Sequence, residues 1–381
     1  MSCTADVIES PDLAEKRRAF RRFVDEHVRP HATASDRAGR LEPAVVDALR
    51  RAGYLGAPLS KAVGGCGMTA VVYGLLTREI GRACSSARTL LTVHDLVGLT
   101  LQRWGSARLK AAILPHLAQG GALAAIALSE EDAGSNAAAI TTALSQSRDG
   151  YRLNGAKRWV SFGQLADWFL VFARWEGRFT ALMVPGAIHG LLRRPVTSML
   201  SIRAGMMADI EFHDCEIQPD WIVGRPGFGL SHVGATAIDF GRYSIACGAV
   251  GIADACVSAS ISHARERSQA GSKLIDHQLV RARLTRMVAG ARAAGLLCLR
   301  AGYLRDTAEP QALIETMIAK YFACGHAAAA ANDAVHLFGA RGLTDEYPLE
   351  RFLRDAKALE IIEGSTEIHE TTIGGDPLLE R

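Results

Sequence analysis

The sequence predicts an α+β protein in which a helical segment, a small antiparallel β-segment and a second helical segment follow one another. Apolar residues recur at helical spacing from residue 12 onward, give way to short alternating runs, and return to helical spacing after Gly229. We therefore expect domains at residues 1–122, 123–228 and 229–381.

The N-terminal segment predicts four to six helices. In "LEPAVVDALRRAGYLG" (41–56), Leu41, Val45 and Leu49 fall near one helix face, and a glycine ends the run.

The middle segment contains β-like runs at 167–174, 178–185 and 208–217. A tight turn at Glu176-Gly177 joins the first two runs. Asn154-Gly155 lies between alternating segments and predicts a further β-hairpin.

Three long helical runs fill the C-terminal segment, at 241–268, 277–304 and 312–339. The first is rich in Ala and Gly, which allows helices to pack closely on several sides. We expect these helices to form a bundle or a subunit interface.

Composition excludes several classes of function. A net charge of +3 is far from that of a nucleic-acid binder. The eight cysteines include no C-x-x-C pair, so neither a zinc site nor a disulfide framework is expected. The N-terminus lacks an apolar signal region and no uncharged apolar stretch of about 18 residues occurs, so we expect a cytoplasmic protein without membrane spans. Rossmann, P-loop and H-E-x-x-H motifs are absent from the sequence.

"ALSEEDAGSNAAAI" (127–140) is predicted to leave a strand and turn through Gly134-Ser135 into a helix-like run. The hydroxyls of Ser129 and Ser135 and nearby backbone N–H groups are suited to an anion or a polar ring edge. The alternative is a simple capping turn with Ser135 or Asn136 as N-cap.

"KRWVSF" (157–162) is expected to place Trp159 and Ser161 on one face of a strand. A planar cofactor would lie against this tryptophan while the serine bonds a ring atom. A tryptophan in the β-domain core is the alternative.

Glu363 stands in "IIEGSTE" (361–367), directly after an apolar run and before a glycine. A carboxylate in this position is either an exposed helix end or a desolvated general base.

Together, "ALSEEDAGSN", "NGAKRWVS", "GRYSIACGAVGIA", "RERSQAG…DHQLV", "LFGARGL…EYPLERFLRDAK" and "IIEGSTE" occur in the order found in the acyl-CoA dehydrogenase family. The sequence resembles that family over essentially its whole length. The resemblance implies an N-terminal helical domain, a middle β-domain, a C-terminal four-helix bundle and FAD as cofactor.

The resemblance also implies cofactor contacts in the middle segment. Leu128 and Ser129 would meet the pyrimidine side of the flavin, Trp159 would pack on its rings, and Ser161 would bond near N5. Ser135 would lie between a cofactor phosphate and the bound acyl thioester.

Further residues would contact the FAD of a neighbouring subunit, which implies a homodimer or homotetramer: Arg267, His277, Gln278, Phe338 and Gly339. Ala270 stands where the family commonly has Phe, which would weaken the adenine contact across subunits.

Glu363 matches the family's catalytic base, and its backbone N–H would help to hold the thioester oxygen. The remaining implied contacts are with the substrate and with FAD. Asp239 and Arg242 would line the acyl-carrier channel, and Gly364 would contact substrate. Ser365 and Glu367 would lie near the FAD, although a glutamate at 367 repels phosphate unless it is turned away.

Within the family, "RACSSARTLLTVHDL", "QRWGS", "DHQLV" and "RDAKALEIIEGSTEI" look most like the acyl-carrier-protein dehydrogenases of polyketide gene clusters. Such dehydrogenases take part in converting a glyceryl unit to hydroxymalonyl-acyl carrier protein. This product is the precursor of the methoxymalonyl extender units used in polyketide antibiotic biosynthesis. The alternatives are a short-chain acyl-CoA dehydrogenase of catabolism, a flavin monooxygenase or nitroalkane-oxidase relative, and an interaction protein without FAD. The electron acceptor is left open between a partner protein and oxygen.

Overall fold

The computed structural model describes residues 10–148 and 150–376. Cys3 and the first nine residues of the N-terminal segment for which no signal region is predicted lie outside these residues. The first helical domain contains six α-helices: α1 (Pro11–His27), α2 (Ala32–Ala38), α3 (Pro43–Arg51), α4 (Ala70–Gly81), α5 (Ser85–Trp104) and α6 (Ala107–Ala118). Side-chain caps start several of them. Ser10, Thr69 and Ser106 each accept a hydrogen bond from the backbone N–H three residues later.

The middle domain follows as eight strands in the described residues: β1 (Ala124–Ala127), β2 (Ala143–Gln146), β3 (Tyr151–Val160), β4 (Trp168–Trp175), β5 (Arg178–Pro185), β6 (Leu191–Pro195), β7 (Ala208–Ile217) and β8 (Ile222–Val223). The sheet order is β6-β7-β3-β2-β4-β5-β8, with β1 also paired to β4. The predicted turn between β4 and β5 is confirmed, since Glu176 and Gly177 both have positive φ angles.

The sheet is mixed rather than wholly antiparallel. β1 pairs in parallel with one part of β4, at Ala124–Ala127, and β2 pairs in parallel with the following part, at Ala143 and Leu144. The chain therefore leaves this edge of β4 after β1, makes a loop, and returns to the same edge in the same direction.

The hairpin predicted at Asn154-Gly155 is wrong. β3 runs through both residues, and the turn between β2 and β3 lies at 147–150. Asn154 instead exchanges two hydrogen bonds of 2.9 Å with Asp214, beside a register shift in the β3–β7 pair. Gly155 is required there because a Cβ would lie 2.6 Å from the Thr142 Cα.

The C-terminal domain opens with a π-helical turn at Gly229–Gly234 and continues as five α-helices of the described chain: α7 (Ala235–Glu266), α8 (Gln278–Asp306), α9 (Ala312–Phe338), α10 (Leu349–Leu359) and α11 (Thr366–Gly374). A two-stranded ribbon, β9 (Ser268–Gln269) and β10 (Ser272–Lys273), joins α7 to α8. α7 is the central helix, packed against α8, α9 and α10 of its own domain and α4 and α5 of the first. The predicted order of helical, β and helical domains is confirmed.

Helix α7 is long and apolar enough to cross a membrane by composition, but 67% of its apolar window is buried inside the protein. It is the core helix of the bundle. Gly81 of α4 lets the two helices approach closely, because a Cβ on it would lie 2.6 Å from the carbonyl oxygen of Gly248 in α7.

Candidate active site

Glu363 lies in the turn between α10 and α11, and its backbone has a φ of 54°, which is uncommon for a residue with a side chain. Gly364 follows with a φ of 95°. Two cations hold this turn. Arg242 Nε donates to the Glu363 carbonyl at 3.0 Å, and Lys320 Nζ donates to the Gly364 carbonyl at 2.6 Å. The unusual conformation is therefore fixed by neighbouring helices, as at many functional sites.

The Glu363 carboxyl group rests on helix α7 at Gly241. A Cβ on Gly241 would lie 2.8 Å from Glu363 Cδ, so any other residue there would displace the carboxyl group. The absence of a side chain at one α7 position thus makes the space that the candidate base occupies.

Burial raises the pKa of Glu363 to about 7, although Arg242, Lys320 and Arg88 each oppose the rise. The side chain retains intermediate exposure while protein atoms surround most of it. A carboxylate with a pKa near neutrality can accept a proton from a weak carbon acid and release it again. Of the two interpretations of this residue, the geometry favours the desolvated base.

Asp239 lies two residues before Gly241 on α7 and lines a cleft of about 500 Å³. The cleft walls include Trp104, Phe240 and Arg305. Arg305 pairs with Asp239 at 2.6 Å, so this carboxylate is already neutralised. Arg242, one turn further along α7, holds the Glu363 backbone and is not among the residues that line this cleft.

A second group of predicted residues meets at the C-terminal end of strand β3. Lys157 Nζ donates to the Leu128 carbonyl at 3.0 Å, and Arg158 N donates to the Ser129 carbonyl at 2.9 Å. Lys157 also pairs with buried Glu130 at 2.7 Å. These bonds fix the start of the 128–140 loop against the end of β3.

Trp159 has a positive φ of 55° and is 46% exposed, beside a register shift in β3. It therefore does not share one face of a regular strand with Ser161, which lies just beyond the strand end at Val160. The prediction of a shared strand face is wrong, and so is the alternative of a core tryptophan. An exposed indole on a strained backbone is suited to stacking against a flat ring.

Ser135 is exposed in the loop beyond Ser129. The helix-like run predicted after it is only a 3-10 turn, Ala137–Ala139, and Asn136 makes no side-chain capping bond to it. Short alanine runs without a cap do not sustain a helix.

The residues expected to reach a neighbouring subunit lie together at the far end of the bundle: Arg267, His277, Gln278, Phe338 and Gly339. His263 of α7 stacks on Phe338 at 4.0 Å. His263 and Gly241 are 22 residues apart on one helix, which is about 33 Å at 1.5 Å per residue. Within one chain, this group is therefore remote from Glu363.

Ser365 and Glu367 follow the base at the start of α11. Ser365 is the N-cap residue, but its hydroxyl makes no capping bond to the helix. Glu367 is exposed, and a hydrogen bond from Ser365 lowers the pKa of its carboxyl group.

The family of the chain follows from comparison with known proteins. Models of the acyl-CoA dehydrogenase N-terminal, middle and C-terminal domains match residues 10–121, 125–215 and 228–376. The chain belongs to the acyl-CoA dehydrogenase family. Members of this family are FAD-dependent oxidoreductases that act on CH–CH groups, so the predicted enzyme class and cofactor are confirmed.

Curated relatives cover nearly the whole chain. The probable acyl-CoA dehydrogenase FadE25 of Mycobacterium tuberculosis is 34% identical over 359 residues, covering 93% of this chain and 92% of the relative. The mitochondrial short-chain specific acyl-CoA dehydrogenase of Mus musculus is 31% identical over 375 residues, covering 97% and 90%.

Solved structures agree in fold. Glutaryl-CoA dehydrogenase from Mycobacterium smegmatis in complex with FADH2 has a TM-score of 0.91 and 26% identity, covering 96% of this chain and 94% of that one. FkbI, described as acting in biosynthesis of the methoxymalonyl extender unit of the Fk520 polyketide, has a TM-score of 0.86 and 30% identity, covering 94% and 98%.

The surface at the C-terminal end of β3 fits FAD. Trp159 offers an exposed flat surface, and the partly exposed hydroxyls of Ser129 and Ser161 bond to no other residue of the described chain. These residues and Leu128 would hold the flavin, which supplies a hydride acceptor. Glu363 would then hold and move the proton.

Sequence reasoning missed three residues of this site: Gly241, Arg88 and Lys320. Arg88 is a single charge in the otherwise uncharged run "ACSSARTLLTVH" (83–94), and that isolation was the available signal. Gly241 and Lys320 gave no signal, because their roles depend on the turn after α10.

Proposed function

We propose that this dehydrogenase oxidises a glyceryl-derived three-carbon unit, carried as a thioester on an acyl carrier protein, to hydroxymalonyl. The observation that carries the proton step is the buried Glu363 carboxyl group, whose pKa is raised to about 7 above Gly241. The carrier and the product are supported by the 30% identity to FkbI over 94% of the chain.

The reaction balances as an ordinary dehydrogenation of a hydrated aldehyde. In the hydrated 2-hydroxy-3-oxopropionyl thioester, Glu363 removes the proton from C2. FAD, when bound, supplies the acceptor for the hydride from C3. Loss of both leaves a C2=C3 double bond with three hydroxyl groups, which tautomerises to the hydroxymalonyl carboxylic acid.

This chain's residues assist at stated atoms. Arg242 and Lys320 hold the carbonyls of Glu363 and Gly364, which keeps the base in its strained turn. The Glu363 backbone N–H would donate to the thioester oxygen as negative charge develops there. The assembly as a homodimer or homotetramer, with Arg267 and its neighbours reaching the other subunit, belongs to the same proposal.

The alternative is a short-chain acyl-CoA dehydrogenase of catabolism. The mouse short-chain enzyme matches 97% of this chain at 31% identity, so the comparisons favour it equally. Both alternatives use the same base, and they differ in the carrier and in the acyl group.

Anaerobic bleaching of the flavin absorbance in the purified holoprotein separates the two. We would offer the three-carbon unit on acyl carrier protein, the same unit on CoA, and butyryl-CoA. Rapid bleaching by the carrier-protein substrate alone supports the proposal, and bleaching by butyryl-CoA alone contradicts it. Glu363→Gln should slow bleaching by about 10²–10⁴-fold. The matched control Glu360→Gln removes a carboxylate that pairs only with Lys357, and should leave the rate unchanged.

Deuterium at C2 tests the proton step separately. We expect the label to be lost to solvent during turnover, and complete retention in the product would contradict removal of this proton by Glu363.

A further inference from the structure

Arg88 of helix α5 is a buried cation that makes no ion pair with a carboxylate in the described chain. It is 1% exposed. Its two terminal nitrogens donate to the hydroxyls of Thr92 and Thr89, at 3.2 and 3.0 Å. A buried guanidinium with only neutral partners is costly, because hydroxyl groups replace its hydration poorly. Such a group is usually retained where a ligand completes it.

The position of Arg88 is next to the candidate base. Gly241, Ser244 and Gly248 share one face of α7, at spacings of three and four residues. Glu363 rests on Gly241, Thr92 contacts the Ser244 hydroxyl at 2.6 Å, and the Arg88 stem lies 2.9 Å from where a Gly248 Cβ would be.

The distance between these positions is short. Gly241 and Ser244 are about 4.5 Å apart along the helix axis, at 1.5 Å per residue. The Arg88–Thr92 hydrogen bond at Ser244 is therefore about one turn from the Glu363 carboxyl group. An acyl group whose C2 faces Glu363 would bring an oxygen on C3 towards Arg88 when its chain runs along α7 from Gly241 to Ser244.

A second set of polar atoms adjoins the same place. The Tyr73 hydroxyl and the Asp95 carboxyl group are fully buried and close enough to affect each other's pKa, although the hydroxyl and one carboxyl oxygen make no hydrogen bond of ordinary geometry in the described residues. The Tyr73 ring packs on Phe240, the residue before Gly241, at 5.0 Å. Buried polar atoms without partners are rare in folded proteins and mark places where a ligand or water belongs. An alkyl chain would offer none of these polar groups a further hydrogen bond.

The geometry points to an oxygen-binding acyl subsite, with Arg88 as a specificity-determining residue for short acyl groups that bear a hydroxyl or carboxylate on C3. The inference deepens the proposed function, since it rests on the dehydrogenase site but requires neither carrier. Lys320, 1% exposed and hydrogen-bonded within the described residues only to the Gly364 carbonyl, adds positive charge to the same neighbourhood. The surroundings of Glu363 therefore hold more positive than negative charge, which favours an anionic or strongly polar acyl end.

The test is binding rather than turnover. Calorimetry on the Glu363→Gln holoprotein would measure dissociation constants for four pantetheine thioesters: butyryl, 3-hydroxypropionyl, 2,3-dihydroxypropionyl and malonyl. We expect at least one oxygenated thioester to bind about tenfold to a hundredfold more tightly than butyryl, the range of a charge-assisted hydrogen bond. Tightest binding of malonyl identifies a carboxylate subsite, and tightest binding of a hydroxylated thioester identifies a hydroxyl subsite.

Arg88→Met in the same background should abolish the preference while flavin content stays constant, and Arg88→Lys should retain part of it. A purely structural role for Arg88, or general stabilisation of charge on the thioester, would change all four affinities together. Preferential binding of butyryl, or an unchanged order in Arg88→Met, overturns the inference. Failure of the proposed function would instead appear as the absence of flavin bleaching in the wild-type enzyme, which this binding experiment does not involve.

Discussion

Lys157 in strand β3 and Arg88 in helix α5 are both buried cations, yet only Lys157 has a carboxylate beside it. Lys157 pairs with Glu130 at 2.7 Å, and Glu130 also accepts from Thr141 and Thr142. Arg88 donates hydrogen bonds to two threonine hydroxyls, and it lies near Glu363 without contacting it. The Lys157 pair is complete within the protein and positions a loop, whereas the surroundings of Arg88 are incomplete and are suited to a ligand.

The carboxylates of the two regions differ in the same way. Burial opposes ionisation of Glu130, but Lys157 and the Thr141–Thr142 donors outweigh it and hold the pKa of Glu130 well below its ordinary value. Burial prevails at Glu363 and raises its pKa to about 7. The number of hydrogen-bond donors, rather than burial alone, decides which acid is a structural anion and which is a base.

Removal of the two cations should have opposite consequences for stability. Lys157→Met leaves Glu130 buried without its partner and should lower the free energy of unfolding by about 3–5 kcal/mol. Arg88→Met leaves no carboxylate unpaired and should leave that free energy unchanged or raise it. Urea unfolding at pH 7.5 measures both. Equal destabilisation by the two variants would contradict the distinction, and Lys157→Met combined with Glu130→Gln should recover part of the loss.

Glu363 and Glu130 should also make contributions to folding stability that depend on pH in opposite directions. Because the folded-state pKa of Glu363 is above its ordinary value of about 4.3, ionisation of this group costs folding stability as pH rises through 7. Glu363→Gln should therefore stabilise the protein by about 3 kcal/mol at pH 8 and by almost nothing at pH 4.5.

Glu130 has the reverse sign, because its folded-state pKa is below its ordinary value. Its contribution is present above that value and is lost as pH falls through the folded-state pKa, so Glu130→Gln should destabilise the protein at pH 7. Unfolding curves of both variants between pH 2.5 and 8.5 provide the measurement. Parallel curves for the two variants would contradict the assignment of opposite roles.

A smaller effect, on the rate of flavin reduction, is expected from a substitution of Gly241, which contacts the Glu363 carboxyl group. Gly241→Ala would push the Glu363 carboxyl group away from its position and should lower the flavin-reduction rate by roughly tenfold to a hundredfold. Gly325→Ala is the matched control, since Gly325 lies in helix α9 and a Cβ there contacts nothing within 4 Å. That control should keep full activity and gain about 0.5–1 kcal/mol of stability. Equal activity in both variants would show that the carboxyl group does not depend on Gly241.

The sequence predicted those parts of the fold that depend on local pattern. The order of the three domains, the long helices and the β4–β5 turn follow from periodicity and turn residues. Asn154-Gly155 wrongly predicted a hairpin because a bulge and a hairpin turn require the same backbone freedom. Only the hydrogen bond of Asn154 to Asp214 on β7 distinguishes the two. The parallel pairing of β1 and β2 with one edge of β4 leaves no local signal.

The site was predicted to a similar extent. Glu363 stood out through its apolar flank, and Trp159 through the nearby hydroxyl of Ser161. Arg88 was visible as an isolated charge but had no assigned role, because its importance depends on the distance to a residue 275 positions later. The paired or unpaired state of a buried cation is a property of tertiary packing, and sequence spacing does not report it.

The close contact of α4 and α7 through Gly81 and Gly248 has a consequence for biosynthesis. The first helical domain buries one side of α4 against a helix that begins more than 150 residues later in the chain. During translation, α4 and α5 therefore leave the ribosome long before their partner exists. We expect the isolated N-terminal domain to aggregate or bind chaperones, and to reach its native packing only after α7 has been synthesised.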